Sequence, residues 1–171
     1  MYRKFKIVKV DYKYCNYLRN FDSKVCYNAG SKTLRPFVGV LFSVGEYEYF
    51  APLSSPKEKH KKLKNTLDLI KIKEGNYGVI NINNMIPVND KCYEEFDLNK
   101  KSNNQKENFR IILMNNQLRW LNSHKNEIYT KSKLLYSLYK QDKLPKNLKD
   151  RCCNYPLLEE KCEKYMYKEL A

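Results

Sequence analysis

The sequence predicts an α+β fold, with a twisted antiparallel sheet as the core and helices packed across it. Three observations carry this. Segments of alternating or β-rich character dominate the first ninety residues. Short turn signals between them suit antiparallel hairpins rather than crossovers. From about residue 108 onward the apolar residues recur at helical spacing instead. The chain has 171 residues, enough for one domain with a real core, and we read 1–171 as a single domain.

The elements follow in order. Phe5 to Val10 alternates apolar residues with lysines, as a half-buried first strand does, and lacks the unbroken apolar stretch of a secretory signal. Asp11 can cap a short helix to about Asn20, with Tyr14, Tyr17 and Leu18 on one face. Residues 22–34 are polar, contain Gly30 and read as a loop. Pro36 to Val44 and Tyr47 to Leu53 form a hairpin about Gly45-Glu46. Ser55 and Pro56 suit the N-cap and first position of a helix.

Leu67 to Ile72 and Tyr77 to Ile82 make a second strand pair around Glu74-Gly75-Asn76, followed by a turn and a strand ending at Val88. Residues 99–107 connect. A long helix from about Asn108 places Phe109, Ile112, Leu113, Trp120 and Leu121 on one stripe. A further helix spans roughly 127–140, with Leu134, Leu135 and Leu138. The last opens at Asn154-Tyr155-Pro156.

Lysine and arginine number 33 against 19 acidic residues, a formal charge of +14. The excess is spread along the chain, which favours a basic face on a folded domain over a basic tail. Nucleic acid is the commonest partner for such a surface, although a lysine-rich surface from an AT-rich genome has the same composition. No run of about 18 apolar residues suggests a membrane span. The six cysteines include no Cys-x-x-Cys pair and stand far from His60 and His124, so no zinc spacing is present and no metal or other cofactor is expected. Reduced thiols and a cytoplasmic setting fit this pattern. Walker, dinucleotide, HExxH and Gly-x-Ser-x-Gly patterns are missing. No helix-turn-helix or Cys/His finger is visible, which disfavours a DNA-binding regulator.

Ser54-Ser55-Pro56-Lys57 follows an apolar strand and precedes a helix. Two hydroxyls, local backbone N–H groups and one cation suit a phosphate undergoing reaction. Taken alone, the tetrapeptide is also an ordinary helix cap.

Read with its surroundings, the motif is more specific. Phe37 to Leu41, Tyr49 to Lys57, Ile80 to Val88, the opening Tyr14-x-x-Tyr17-Leu18-x-x-Phe21-Asp22, and the late Cys153-Asn154-Tyr155-Pro156-Leu157-Leu158 occur in one order. Together they resemble the ToxN/AbiQ/CptN family, the toxins of type III toxin–antitoxin and phage-defence systems. The resemblance covers nearly the whole chain and is least clear over roughly 99–125. It implies a bacterial endoribonuclease with a sheet core similar to the MazF/Kid toxins. It implies metal-independent cleavage of single-stranded RNA, leaving a 2′,3′-cyclic phosphate. It also implies inhibition by a small repeated RNA pseudoknot, processed by the toxin and closed with it into a protein–RNA hetero-oligomer.

The family's Thr/Ser-Ser-Pro-Lys motif falls on Ser54, Ser55, Pro56 and Lys57, of which Ser54, Ser55 and Lys57 become the expected catalytic residues. A family lysine falls on Arg35, which keeps the charge and cannot serve as a base. The family tyrosine of the first helix falls on Tyr14, read either as a base-stacking ring or as core. Lys59, His60 and Lys61 read as RNA contacts or as a solvated face. Asn115 and Arg119 stand where the family's later tyrosines belong, and Arg119 is carried as a candidate RNA contact. The competing reading is a non-catalytic RNA-binding protein on the same fold.

Overall fold

The computed structural model describes residues 3–28 and 35–170. Gly30, placed in a loop by the sequence, lies outside the described residues. Among the described residues eight strands form one antiparallel sheet: β1 (Lys6–Val10), β2 (Pro36–Gly39), β3 (Ser43–Val44), β4 (Tyr47–Ser54), β5 (Leu69–Lys71), β6 (Val79–Asn81), β7 (Ile86–Val88) and β8 (Tyr93–Glu95). The main order is β5-β6-β4-β2-β1-β8, with β3 and β7 also paired to β4. The expected α+β class and antiparallel core are what the chain forms.

The eight residues of β4 make it the spine. One edge takes β3 near Tyr47 and β2 near Ala51, while the other takes β7 over Glu48–Phe50 and β6 over Leu53–Ser54. Strand β4 is therefore buried on both sides, which its near-continuous apolar run Tyr49 to Leu53 requires. Gly39 is dictated by packing: a β-carbon there would meet the Phe50 ring at 2.1 Å. Strand β8 has no apolar alternation in Tyr93-Glu94-Glu95 and was not expected. It is an edge strand held to β1 through Val8↔Glu95 and Val10↔Tyr93.

The helices are α1 (Tyr12–Arg19), α2 (Glu58–Lys62), α3 (Gln105–Ser123), α4 (Lys125–Lys140), α5 (Lys146–Lys149) and α6 (Tyr155–Leu170). Asp11 caps α1 as predicted, accepting from the Lys13 and Tyr14 amides. Asn104 caps α3 in the same way, three residues earlier than the periodicity suggested. Two expectations are corrected. Helix α2 begins at Glu58, and its cap position is the extended Lys57 rather than Ser55. On α3 the buried face carries Met114, Gln117 and Leu121, whereas Phe109 and Ile112 are exposed.

The core is continuous, running from Phe5, just before β1, through the sheet to Leu158 and Cys162 in α6. Within it, Tyr49 and Tyr136 both donate to Oε1 of Glu159, at 2.7 and 2.6 Å, and Lys140 contacts its other oxygen at 3.2 Å. Five of the six cysteines are buried and Cys26 is half-buried. No helix among the described residues is long and apolar enough to cross a membrane.

Candidate active site

Strand β4 ends at Ser54, and the chain then runs out of the sheet through Ser55, Pro56 and Lys57 into α2. Ser55 and Lys57 are exposed, while Ser54 is half-buried because it is still paired to Val79 of β6. On the other side, the β2–β4 register runs Val38↔Ala51, Phe37↔Pro52. Extending that register by two residues sets Arg35, just before β2, level with Ser54. Arg35 is half-buried, its Nη1 stands 4.0 Å from the Cys26 sulfur, and its Nε is buried without a hydrogen-bond partner.

Behind Ser54 the packing is tight. Asn81, two residues along β6 from Val79, donates from Nδ2 to Ser54 Oγ at 2.9 Å and toward the Pro52 carbonyl at 3.4 Å. Gly78, with φ of +93°, lies beneath the Ser54–Ser55 peptide. The turn Lys73-Glu74-Gly75 takes three consecutive positive φ values, 47°, 56° and 89°. It presses Gly75 against the His60 backbone, where a β-carbon would stand 2.8 Å from the carbonyl carbon. Gln117 of α3 anchors this region by donating to the Tyr77 carbonyl at 2.8 Å. A left-handed turn with two non-glycine members costs energy that the surrounding contacts must supply. Here it fixes the base of α2 and hence the approach of Lys57.

The electrostatics are one-sided. Lys57 and Lys59 are exposed, and Lys61 pairs with Glu58 at 2.8 Å. His60 is 97% enclosed, with 3% of its surface exposed, and its Nδ1 has no hydrogen-bond partner. Burial, with the Lys59 and Lys57 charges beside it, holds the imidazole below its ordinary 6.5, so it is neutral at pH 7. Among the described residues no three His, Cys, Asp or Glu side chains converge to hold a metal ion. Two hydroxyls, an arginine and a lysine at one strand end can receive a phosphodiester and offset charge developing on it.

The pattern for a known family, toxin ToxN of type III toxin–antitoxin systems, matches residues 6–163. The chain belongs to the ToxN toxin family. It is 32% identical over 170 residues to an endoribonuclease ToxN of Bacillus thuringiensis subsp. kurstaki, covering 97% of this chain and 87% of that one. It is also 32% identical over 166 residues to the endoribonuclease AbiQ of Lactococcus lactis subsp. lactis, covering 91% and 86%. A solved structure of AbiQ, a lactococcal anti-phage endoribonuclease, superposes with a TM-score of 0.81 at 28% identity, over 96% of this chain and 99% of the other. A type III toxin selectively inhibited by a non-coding RNA pseudoknot superposes with a TM-score of 0.80 at 32% identity, again over 96% and 99%.

On this ToxN-family fold, Ser54, Ser55, Lys57 and Arg35 gather at one end of β4. Tyr14 does not present a stacking surface. Its ring is fully enclosed, its hydroxyl donates to the Pro87 carbonyl at 2.6 Å, and Tyr165 packs edge-on at 5.0 Å. Of the two readings of Tyr14, the structure selects core. His60 likewise is not an open RNA contact but a buried ring under the lysines. Arg119 is exposed on α3, two residues beyond the inward-facing Gln117, and no described contact joins it to Ser54. His124 is half-buried at the joint of α3 and α4, stacked on Trp120 at 3.9 Å. Asn81, Gly78 and Gln117 were not singled out from the sequence. For Asn81 and Gly78 the available signal was a polar residue or a glycine between apolar neighbours; Gln117, following Asn115 and Asn116, had none.

Proposed function

We propose that this chain is an endoribonuclease toxin that cuts single-stranded RNA without metal, at the end of β4. Its membership in the ToxN family over residues 6–163, with the Ser-Ser-Pro-Lys motif at that strand end, is the observation that carries the reading. On this reading 1–171 is one toxin domain acting in the bacterial cytoplasm, with a sheet core akin to the MazF/Kid toxins. Its substrates are cellular or phage messages. Its partner is a repeated RNA pseudoknot that it processes, that inhibits it, and that closes with it into a hetero-oligomer.

The chemistry is an in-line transesterification. The RNA 2′-oxygen attacks the adjacent phosphorus, the new 2′-O–P bond forms and the P–O5′ bond breaks. The 2′ proton is lost to solvent or a basic group, and the departing 5′-oxygen takes up a proton. Ser55 and backbone N–H groups hold non-bridging oxygens, and Ser54 positions the phosphate. Arg35 neutralises it, and Lys57 stabilises the charge that builds on the phosphorane. Lys59 and Lys61 follow the backbone as screened, salt-sensitive contacts.

The test is incubation of RNA-free protein with a long single-stranded RNA in excess EDTA, reading the fragment ends. Discrete fragments ending in 2′,3′-cyclic phosphate are expected. Intact RNA that is nonetheless bound would establish the binding-only alternative instead.

A further inference from the structure

Asn81 and Ser54 lie diagonally across the β6–β4 ladder. The register Ser54↔Val79 and Leu53↔Ile80 puts Asn81 opposite Pro52, two residues from Ser54 and on the same face. The amide of Asn81 turns one end toward both Ser54 Oγ and the Pro52 carbonyl. A proline carbonyl accepts and never donates, so that end must be the NH2 group. The assignment settles the direction of the neighbouring bond: Asn81 donates and the Ser54 oxygen accepts. One lone pair of the serine is thereby occupied, and its own hydrogen is not spent on Asn81.

We infer that Asn81 is a positioning residue for RNA cleavage: by donating to Ser54 Oγ it directs the Ser54 hydroxyl hydrogen outward, toward a non-bridging phosphate oxygen. The inference rests on the reading of Ser54 given under the proposed function. The physical advantage is pre-orientation. A free serine hydroxyl rotates, and a neighbouring acceptor would capture its hydrogen. Here the built-in neighbour can only donate, so the hydroxyl meets the substrate as a donor without reorganising at the moment of reaction. Half-burial strengthens the effect, because little water competes for the oxygen. Asn81 itself acts through Ser54 and need not touch RNA.

Substitution alone would not separate this role from a structural one, so the experiment is a double-mutant cycle. Single-turnover cleavage of a long in-vitro-transcribed single-stranded RNA is followed with protein in excess, for the wild type, Ser54→Ala, Asn81→Asp, Asn81→Leu, and each Asn81 change combined with Ser54→Ala. Asn81→Asp keeps the shape, so it remains informative if Asn81→Leu fails to fold. Its carboxylate accepts instead of donating and turns the hydroxyl inward. The expected result is a fall of roughly 100-fold in the maximal rate for each single variant, at the lower end of the range for losing one aimed donor. The protein concentration at half-maximal rate should move by less than about threefold. The combined variants should be no slower than Ser54→Ala alone.

Additive losses in the combined variants, or Asn81→Asp cleaving at the wild-type rate while Ser54→Ala is slowed, would overturn the role of Asn81 and leave Ser54 standing. Cleavage by Ser54→Ala at the wild-type rate would instead remove Ser54 from the proposed mechanism, and Asn81 with it.

Discussion

Gly78 lies directly beneath Ser54: a β-carbon at position 78 would stand 1.9 Å from the Ser54 carbonyl oxygen. It would also stand 3.1 Å from the Ser55 carbonyl carbon, and φ at Gly78 is +93°, a conformation that L side chains rarely adopt. Both obstacles are backbone, so neither can swing aside. The sheet thus holds the candidate phosphate-binding peptide against a glycine that nothing else can replace. Gly78→Ala is expected to cost about 2 kcal/mol or more of stability, from strain plus displacement of the strand end. RNA cleavage should fall at least tenfold in whatever fraction stays folded. Urea denaturation with cleavage assayed on the same samples checks both. Wild-type values in the two measurements would mean the peptide is not held as described.

Lys57 is the cation nearest in sequence to the two hydroxyls, and it stands on extended backbone before α2 rather than within it. Its removal therefore costs no helical packing. Lys57→Ala and Ser55→Ala are each expected to lower cleavage by about 100-fold or more, with little change in melting temperature. RNA affinity should fall only a few-fold, since on the proposed reading Arg35, Lys59 and Lys61 also meet the phosphate backbone. Filter binding beside cleavage separates the two effects. A proportional loss of both would assign Lys57 to binding instead.

The sheet was legible in the sequence because strands of this kind announce themselves. Phe5 to Val10 alternates, and Gly45-Glu46 marks the hairpin into β4. Two features hid. The buried stripe of α3 includes Gln117, whose side chain is spent on the Tyr77 carbonyl, so apolar spacing alone points to Phe109 and Ile112, which are exposed. The start of α2 was misplaced because Ser55-Pro56 has the residues of a cap, whereas pairing of Ser54 to Val79 keeps the chain extended further along. The Ser-Ser-Pro-Lys motif was readable as a motif, but what holds it was not. Asn81 and Gly78 reach it only through the β4–β6 register, which pairs residues 25 or more positions apart.

Glu159 is a second place where one side chain satisfies several others. Its Oε1 accepts from both Tyr49 and Tyr136, and the Tyr49 ring is wholly enclosed. Removing that acceptor strands two phenol donors away from water. Glu159→Leu is therefore expected to destabilise by about 2–4 kcal/mol. Glu159→Gln, which keeps one carbonyl acceptor, should cost less than half as much. Chemical denaturation ranks the three proteins, and equal losses for Leu and Gln would mean that charge rather than hydrogen bonding matters at this position.

His60 carries the pH dependence of the region around α2. Burial comes first, and then the Lys59 and Lys57 charges, in holding its folded value below the ordinary 6.5. The unfolded chain binds the proton first as pH falls, so the contribution of His60 to stability is complete above 6.5. It is lost as pH drops through 6.5 toward the lower folded value. Wild-type stability should therefore decline between pH 7.5 and pH 5.5 with a slope that His60→Gln does not share, although His60→Gln is less stable overall because a packed ring is lost. Urea midpoints measured at half-unit intervals for both proteins isolate the difference, since every other titrating group is common to the two. Parallel curves would show that His60 binds its proton equally well folded and unfolded, and that the buried imidazole is not neutral for the reasons argued here.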